Sequence, residues 1–148
     1  MRRITGLRWA REATNPWPRS RPRDAQARGI RFEKVVAKEL RPCLHNPWYE
    51  YEDALGHGFC SPDLIALGTK RCLVIECKLT NWREGWEQVE GLYLPILKWV
   101  FGREVVPIVV TRRVSPGCVV AHTLREAVER WEDKPVLHYI GHGPFPLE

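Results

Sequence analysis

The sequence has no long apolar segment and no cysteine pair with the spacing of a metal site. A membrane-spanning helix needs roughly 20 consecutive apolar residues, and no such run occurs in the 148 residues. The Arg-rich N-terminus also lacks the apolar stretch of a secretory signal. The five cysteines include no Cys-x-x-Cys pair, which argues against a zinc cluster. Because Cys72 and Cys77 lie in an apolar stretch, we expect buried thiols and a reducing, cytoplasmic environment.

Most of the excess positive charge lies near the N-terminus. Residues 1–24 carry seven arginines against Glu12 and Asp24, a net charge of +5 that equals the net charge of the whole chain. Three prolines and two tryptophans accompany them. This composition predicts an extended basic arm rather than a packed element, followed by one folded domain over residues 25–148. Arginines among tryptophans suit phosphates and unstacked bases, and a solvated tail is the alternative. The candidate DNA contacts in this arm are Arg2, Arg3, Arg8, Arg11, Arg19, Arg21 and Arg23.

Two apolar runs in the middle of the chain predict a β-hairpin. Residues 63–67 and 72–78 flank Gly68-Thr69-Lys70-Arg71, which is typical of a turn between antiparallel strands. With the two middle residues of that segment as the loop, residue 67 pairs with residue 72. The same register places Asp63 opposite Glu76, with their Cβ atoms roughly 4.5–5.5 Å apart.

Two carboxylates opposite each other on a sheet indicate a bound cation. Like charges in this position destabilise a sheet unless something offsets them, and Lys78 shares the face of Glu76 because side chains alternate along a strand. Mg²⁺ is usually held by one or two carboxylates plus substrate phosphates, so the pattern predicts a metal site for phosphodiester chemistry. A solvated strand end, with Lys78 neutralising Glu76, is the alternative. Thr-Lys is not a preferred two-residue turn, which leaves the register open.

The remaining periodicity predicts helices around a mixed sheet. Helices are expected from Asp24 to about Leu40, from Trp82 to Phe101 with a kink or division at Pro95, and from His122 to Trp131. Strands are expected at residues 48–51, 105–110 and 136–140, with a loop at 53–61 and an edge or bulge at Pro107. This order predicts an α/β domain with a mixed central β-sheet flanked by helices.

Glu33 is a third candidate ligand. It lies on the border of the apolar stripe of the first predicted helix, so packing of that helix on the sheet could aim it at Asp63 and Glu76. The alternative is a surface glutamate paired with Lys34 or Arg31.

Together these residues resemble the PD-(D/E)xK nuclease superfamily, and within it the archaeal-type Holliday junction resolvases. Residues 28–33, Arg-Gly-Ile-Arg-Phe-Glu, resemble their basic-Gly-x-x-x-Glu helix. Residues 63–66, Asp-Leu-Ile-Ala, and 74–80, Val-Ile-Glu-Cys-Lys-Leu-Thr, resemble their Asp-Leu and Ile-Glu-Val-Lys strands. The similarity covers roughly residues 25–113. It implies a restriction-endonuclease-like fold and a homodimer that nicks two opposed strands of a four-way DNA junction.

The resemblance also implies a role for each residue of the motif. Asp63, Glu76 and the backbone carbonyl of Cys77 would bind Mg²⁺, or Mn²⁺ in its place. Glu33 would complete the metal's ligand set directly or through water. Lys78 would position or help deprotonate the attacking water, or stabilise the transition state.

Four further residues are candidates outside the motif. Arg28 is the basic residue of the helix pattern, and Ser61 is the nearest serine to residues 53–60, where the family has a catalytic serine and this chain has none. His57, between two glycines, is expected either to touch the scissile phosphate or a base or to serve as a turn residue. Gln88 resembles a glutamine of RecB-like and Cas4-like exonucleases. It favours an exonuclease or a restriction-type nuclease as the alternative function, beside a non-catalytic DNA-binding protein on the same scaffold.

The tryptophans bear on the expected homodimer. One small core does not readily hide so many large rings, and tryptophan is enriched at subunit interfaces. Ordinary packing between helix and sheet is the alternative for each of Trp82, Trp86, Trp99 and Trp131.

Overall fold

The computed structural model describes residues 2–17, 24–40 and 43–139. The strands are β1 Trp9–Ala13, β2 Cys43–His45, β3 Trp48–Asp53, β4 Gly56–Cys60, β5 Leu64–Leu67, β6 Arg71–Lys78, β7 Glu104–Thr111, β8 Val120–Ala121 and β9 Val136–His138. The helices are α1 Asp24–Glu39, α2 Trp82–Gln88, α3 Leu94–Phe101 and α4 Leu124–Glu129. A π-helical turn, Val89–Tyr93, joins α2 to α3, and a 3₁₀ turn, Trp131–Asp133, follows α4.

The strands form two sheets. The larger sheet has six strands in the order β2-β5-β6-β7-β9-β8, and the smaller has three in the order β1-β3-β4. In the larger sheet β2, β5 and β6 pair antiparallel, whereas β6, β7, β9 and β8 pair parallel. The prediction of an α/β protein with a mixed sheet and helices is confirmed.

The helices cover both faces of the larger sheet because its central strands are apolar on both sides. Leu64, Ile75 and Val106 lie in one core with Phe32 and Val36 of α1. The alternate residues of these strands, among them Val74, lie in a second core beneath α2 and α3. Each fully buried branched side chain contributes about 1.5–3 kcal/mol, which explains why the sheet centre is so uniformly apolar. The charged residues of β6 lie at or near its two ends, and Asp63 directly precedes β5.

The predicted hairpin is confirmed in its register. Leu67 pairs with Cys72 and Leu64 pairs with Ile75, while the Gly68 N–H donates a 3.0 Å hydrogen bond to the Arg71 carbonyl. The pairing ends there, with Asp63 directly before Leu64 and Glu76 directly after Ile75. The turn residues are therefore those expected, although their sequence is not a preferred one.

The N-terminal segment differs from the expected extended arm. Trp9–Ala13 is strand β1 and pairs antiparallel with β3, and the Ile4 N–H donates a 2.7 Å hydrogen bond to the Gly91 carbonyl. Asp53 explains much of this packing, because its side chain is fully buried and accepts hydrogen bonds from Arg2 and from the Thr5 N–H. Buried carboxylates need such partners. The interpretation of the described residues 2–17 as an unpacked arm is wrong.

Residues 53–61 are not the loop that the glycines suggested. Gly56–Cys60 forms β4, which pairs with β3. A Cβ at Gly58 would lie 2.6 Å from the hydroxyl oxygen of Tyr51, so this glycine allows a close approach between neighbouring strands. His57, expected in a loop, is therefore a strand residue.

Pro95 and Pro107 lie in a helix and in a strand, respectively. Pro95 lies in the first turn of α3, so the long helix divides just before it, at the π-helical turn. Pro107 was expected at an edge or a bulge, yet it lies in the interior strand β7 opposite Val74. Strand β9 pairs with β7 only from Val109 onward, so Pro107 lies where β7 has one partner among the described strands.

No helix in the described ranges is long and apolar enough to cross a membrane.

Candidate active site

Asp63 and Glu76 lie at the end of the β5–β6 hairpin, next to each other. The Cys77 N–H donates a 2.8 Å hydrogen bond to Oδ2 of Asp63, which fixes the carboxylate against β6. Both acidic side chains belong to residues that are at most 8% exposed. Two carboxylates held this close in a buried position repel each other unless a proton or a cation lies with them.

Glu33 reaches the same place from α1. Burial, the negative charge of Asp63 and a hydrogen bond with Asp63 together raise the pKa of Glu33 to about 8. His45, the last residue of β2, and Asn46, which follows it, also contact Glu33: the Asn46 amide nitrogen lies 3.4 Å and His45 Nε2 lies 3.6 Å from its Oε2. The helix therefore brings the third predicted ligand to the other two acids, and it is not a surface glutamate paired along the helix.

Glu76 is the most deeply buried of the three acids. Burial, followed by the charge of Asp63, raises its pKa well above the ordinary value. Its Oε2 is buried and has no hydrogen-bond partner among the described residues. Burying a carboxylate oxygen without a hydrogen-bond partner costs free energy of folding. A ligand bound between the acids would give this oxygen a partner.

These oxygen atoms fit a hard divalent cation, although no ready-made coordination shell exists. In the described parts of the chain, no group of three or more His, Cys, Asp or Glu side chains could hold a metal ion as it stands. The acidic oxygens of Asp63 and Glu76 are the donors that Mg²⁺ prefers. The Cys77 backbone also faces Asp63, because its N–H bonds to that side chain and the carbonyl of one residue points to the same side of a strand as its N–H. The two carboxylates and the Cys77 backbone therefore lie close together at this strand end.

Lys78 occupies the expected strand face but not the expected ion pair. Its positive charge lowers the pKa of both Glu76 and Glu33. Its ion-pair contact, however, is with Glu84 of α2, at 3.7 Å. The Lys78 side chain is 20% exposed, and its aliphatic stem packs against α2 at Gly85.

Sequence reasoning missed Tyr93, which lies in the π-helical turn beside the acids. Burial and then the charge of Glu76 raise the pKa of this phenol, and its hydroxyl donates a 3.4 Å hydrogen bond to the Ser61 carbonyl. The Ser61 hydroxyl is buried without a hydrogen-bond partner in the described part of the structure. No spacing pattern distinguishes Tyr93 from the other apolar residues of the helix. Asn46 was missed too, although its positive φ of 49° marks a tight turn.

A basic groove lies on the α1 side of the acids. It has a volume of about 850 Å³ and passes α1, the residues after β6 and the residues after β7. Its polar lining residues are Arg28, Arg31, Thr80, Arg112, Arg113 and His138. The Arg112 N–H donates to the Lys78 carbonyl, so the groove begins directly at the strand end that carries the lysine. Arg28 was predicted as a DNA contact, and the other three arginines were not.

The described arginines of the N-terminal segment do not line this groove. Arg8, just before β1, and Arg11, on β1, form ion pairs with Glu52 and Glu50, at 4.0 and 2.9 Å. Arg2 is bound to Asp53. Arg3 lies against Gly91 of the π-helical turn, whereas Arg19, Arg21 and Arg23 lie outside the described residues.

His57 and Gln88 are the last two predicted residues. His57 Nε2 lies 3.1 Å from Oε1 of Glu50 on the outer face of the smaller sheet, and not among the acids. Gln88 ends α2, and its Oε1 is buried without a partner among the described groups.

The four tryptophans considered for an interface have different surroundings. Trp86 is on the buried face of α2, Trp131 packs against both cores, and Trp82 donates a 2.7 Å hydrogen bond to Ser115. Trp99 is 52% exposed on α3. Of these four rings, Trp99 alone has most of its surface in solvent.

Comparisons with known proteins leave the family open. No protein-family model matches the chain, and no curated protein matches it. The crystal structure of protein VC1899 from Vibrio cholerae is similar with a TM-score of 0.41 and 11% sequence identity, over 75% of this chain and 27% of that one. The chain thus spans about a quarter of the length of that protein. A likeness at this level carries no argument about activity.

Proposed function

We propose that this protein is a metal-dependent, structure-selective DNA endonuclease that resolves four-way (Holliday) junctions by paired phosphodiester hydrolysis. The fold would then be of the restriction-endonuclease-like type. The convergence of Glu33, Asp63 and Glu76, with an orphaned oxygen on Glu76, is the observation that carries the proposal. The resemblance of the sequence to the PD-(D/E)xK superfamily supplies the reaction.

Asp63, Glu76 and the Cys77 carbonyl would hold Mg²⁺ or Mn²⁺, with Glu33 completing the ligands directly or through water. When bound, the cation would supply a Lewis acid that activates water and offsets negative charge at phosphorus. The protein's part is to keep these oxygens together at the end of β5 and β6, out of bulk water. Their mutual repulsion is strongest without a cation, which favours cation binding.

Lys78 would act on the nucleophile and on the developing charge. Its side chain leaves β6 on the same face as Glu76 and packs against α2, with Glu84 as its ion-pair partner. A lysine ammonium fixed in this position would orient the attacking water and stabilise the negative charge of the transition state. Because Lys78 is not a metal ligand in this scheme, its removal would affect the rate far more than metal binding.

The basic groove gives the DNA backbone a path to these residues. Four arginines and no acid line it among the described residues, and arginine forks bind phosphate with two hydrogen bonds. Cleaving both strands of a junction requires two such sites, so the active form would be a homodimer.

A second candidate within the superfamily is a RecB-like or Cas4-like exonuclease, and Gln88 favours it. This side chain lies on the helix that follows β6, as in those enzymes, and its buried Oε1 lacks a partner in the described structure. A restriction-type nuclease shares the same acids. A non-catalytic DNA-binding protein would not need the complete set of Asp63, Glu76 and Lys78.

The products formed from matched DNA substrates test the proposal. The full chain is incubated with Mg²⁺ and a mobile four-way junction, a linear duplex or a single strand, and the cleaved strands are mapped. Paired nicks near the crossover, absent with EDTA, are the expected result. Degradation from the DNA ends identifies the exonuclease instead. DNA binding without cleavage, in Mg²⁺ and also in Mn²⁺, refutes a catalytic role.

A further inference from the structure

A second groove is lined by one end of the smaller sheet, the π-helical turn and Asn46. It has a volume of about 490 Å³, within the range of about 300–1,000 Å³ typical of ligand sites. Two of its lining residues are close to the acids. Asn46 contacts Glu33, and Ser61 lies two residues before Asp63 in the sequence. The groove therefore lies beside residues that contact or closely precede two of the proposed metal ligands, Glu33 and Asp63.

Three aromatic rings form one wall of this groove. Trp17 makes edge-to-face contacts with Trp48 and Phe59, with ring centroids 5.7 and 6.0 Å apart. Trp48 begins β3, and Phe59 is the last residue but one of β4, so both rings lie at the end of the smaller sheet nearest the acids. Trp17 is 60% exposed. Much of the Trp17 surface is therefore open to solvent, and aromatic rings stack favourably on one another.

The rest of the lining is polar but uncharged. Asn15, Asn46 and Ser61 supply amide and hydroxyl groups, and no Arg, Lys, Asp or Glu lines the groove among the described residues. The buried Ser61 hydroxyl has no partner among them either. Aromatic walls with neutral donors and acceptors fit a nucleobase, whereas phosphates are drawn to the arginines of the basic groove. In the sequence, Arg19, Arg21 and Arg23 follow soon after Trp17, which adds positive charge for a DNA strand.

We propose that this aromatic groove binds one unpaired nucleobase beside the bond to be cleaved. The nuclease would thus act where the DNA strand leaves the duplex, with the backbone in the basic groove and an unstacked base against Trp17. The position of the base relative to the bond rests on the proposed function, but its binding does not.

Binding is measured with Asp63→Asn protein in EDTA, by anisotropy of a labelled short oligothymidylate. The matched ligand is a chain of the same length made of abasic nucleotides, which has the same phosphates and no bases. Removing one base–aromatic stack costs about 1–3 kcal/mol, so we expect Trp17→Ala to weaken oligothymidylate binding roughly 5- to 100-fold. Binding of the abasic chain should be unchanged.

Three further variants separate the stacking of a base from a general loss of aromatic surface. Trp99→Ala removes an equally exposed tryptophan elsewhere and should leave both affinities unchanged, whereas Trp17→Tyr should restore most of the lost affinity. Phe59→Leu keeps an apolar side chain but no ring, and should weaken oligothymidylate binding alone. If Trp17→Ala and Trp99→Ala have equal effects, or the preference for bases survives in Trp17→Ala and Phe59→Leu, the groove does not bind a base.

The failure of this inference is distinguishable from the failure of the proposed function. A protein that cleaves junctions but shows no effect of Trp17→Ala on oligothymidylate binding overturns the base site alone. A base-dependent affinity lost in Trp17→Ala, without cleavage of any DNA in Mg²⁺ or Mn²⁺, overturns the nuclease alone. A change of oligomeric state in Trp17→Ala, with equal affinity for both ligands, assigns the groove to a second copy of the chain and overturns the proposal.

Discussion

The backbone N–H of Cys77 donates a 2.8 Å hydrogen bond to the Asp63 carboxylate. Asp63 directly precedes β5, and Cys77 lies between Glu76 and Lys78 in β6. A slip of one residue in the pairing of the two strands would turn both of those side chains to the other face of the sheet. One strand register therefore fixes the positions of three proposed catalytic groups.

Neutralising either acid should abolish cleavage. Asp63→Asn and Glu76→Gln each remove a proposed metal ligand while keeping the side-chain volume, and we expect the rate of junction cleavage to fall by about a hundredfold or more. Product formation under single-turnover conditions measures this. Glu132→Gln, in the exposed 3₁₀ turn after α4, is the control. Cleavage at the original rate by Asp63→Asn or Glu76→Gln would show that these acids do not form a metal site.

Replacing Lys78 should separate catalysis from metal binding. Lys78→Met keeps the aliphatic stem that packs beneath α2 and removes the charge. We expect cleavage to fall by about a hundredfold, while Mn²⁺ affinity, measured by calorimetry, stays within a few-fold of the original value. A large loss of Mn²⁺ affinity would mean that the lysine acts by organising the acids and not on the reacting groups.

Without a divalent cation, the stability of the protein should fall as pH rises. The pKa of Glu33 is raised to about 8 from its ordinary value of 4.5, and the pKa of Glu76 is raised as well. The folded state then binds more protons than the unfolded state across this interval, so the free energy of unfolding decreases between these two pH values. Urea unfolding in EDTA at a series of pH values measures the slope.

Two changes should flatten that pH dependence. Glu33→Gln removes one titrating group from the cluster and should reduce the slope, whereas Glu132→Gln should not. Adding Mg²⁺ should stabilise the protein more above the pKa of Glu33 than below it, because the cation binds the deprotonated acids. Equal stabilisation at both ends of the interval would contradict cation binding by these carboxylates.

The basic groove should dominate the salt dependence of DNA binding. Each phosphate contact adds about 0.9 to the slope of log affinity against log salt for duplex DNA, so Arg112→Gln should lower that slope by about one. Lys70→Gln, in the turn at the opposite end of the β5–β6 hairpin, is the matched charge control. Equal slopes for Arg112→Gln and the original protein would remove the groove from the DNA path.

The buried Asp53 should be needed for folding and not for chemistry. Its carboxylate accepts hydrogen bonds from Arg2 and from the backbone of Thr5 and Leu55. These bonds, those from the backbone foremost, lower its pKa. Asp53→Ala leaves the buried donors unpaired and should lower the melting temperature by several degrees. Cleavage per folded molecule should be unchanged, and an unchanged melting temperature would show that the N-terminal segment is not anchored here.

Local patterns in the sequence predicted the parts of the site that depend on one hairpin and one helix. The register of residues 63–78 follows from apolar alternation and a four-residue connection, and α1 follows from its apolar stripe. Glu33 could be proposed as a ligand because it borders that stripe. Its contact with Asp63, however, depends on how α1 crosses the sheet, which periodicity does not determine.

Contacts between distant segments were beyond such reasoning. Pairing of β1 with β3 depends on the burial of Asp53, an acid that in the sequence looks like a solvated turn residue. Strand β4 contains two glycines, which weaken strand propensity, and its place is secured by Tyr51 packing over Gly58. Pro107 disfavours an interior strand, because proline cannot donate a hydrogen bond to a neighbouring strand. It is accommodated in β7 because the short strand β9 does not extend as far as Pro107.

In the sequence, β3 and β4 of the smaller sheet lie between β2 and β5, which are neighbouring strands of the larger sheet. The β3–β4 hairpin thus leaves and rejoins the scaffold at adjacent points, and only Trp9–Ala13 adds a third strand to it from elsewhere. Trp48 and Phe59, which are proposed to pack against a base, and the strand that carries Glu76 consequently belong to separate units of sequence. A different hairpin grafted between His45 and Asp63 would redirect such an enzyme to another DNA shape without rebuilding its chemistry.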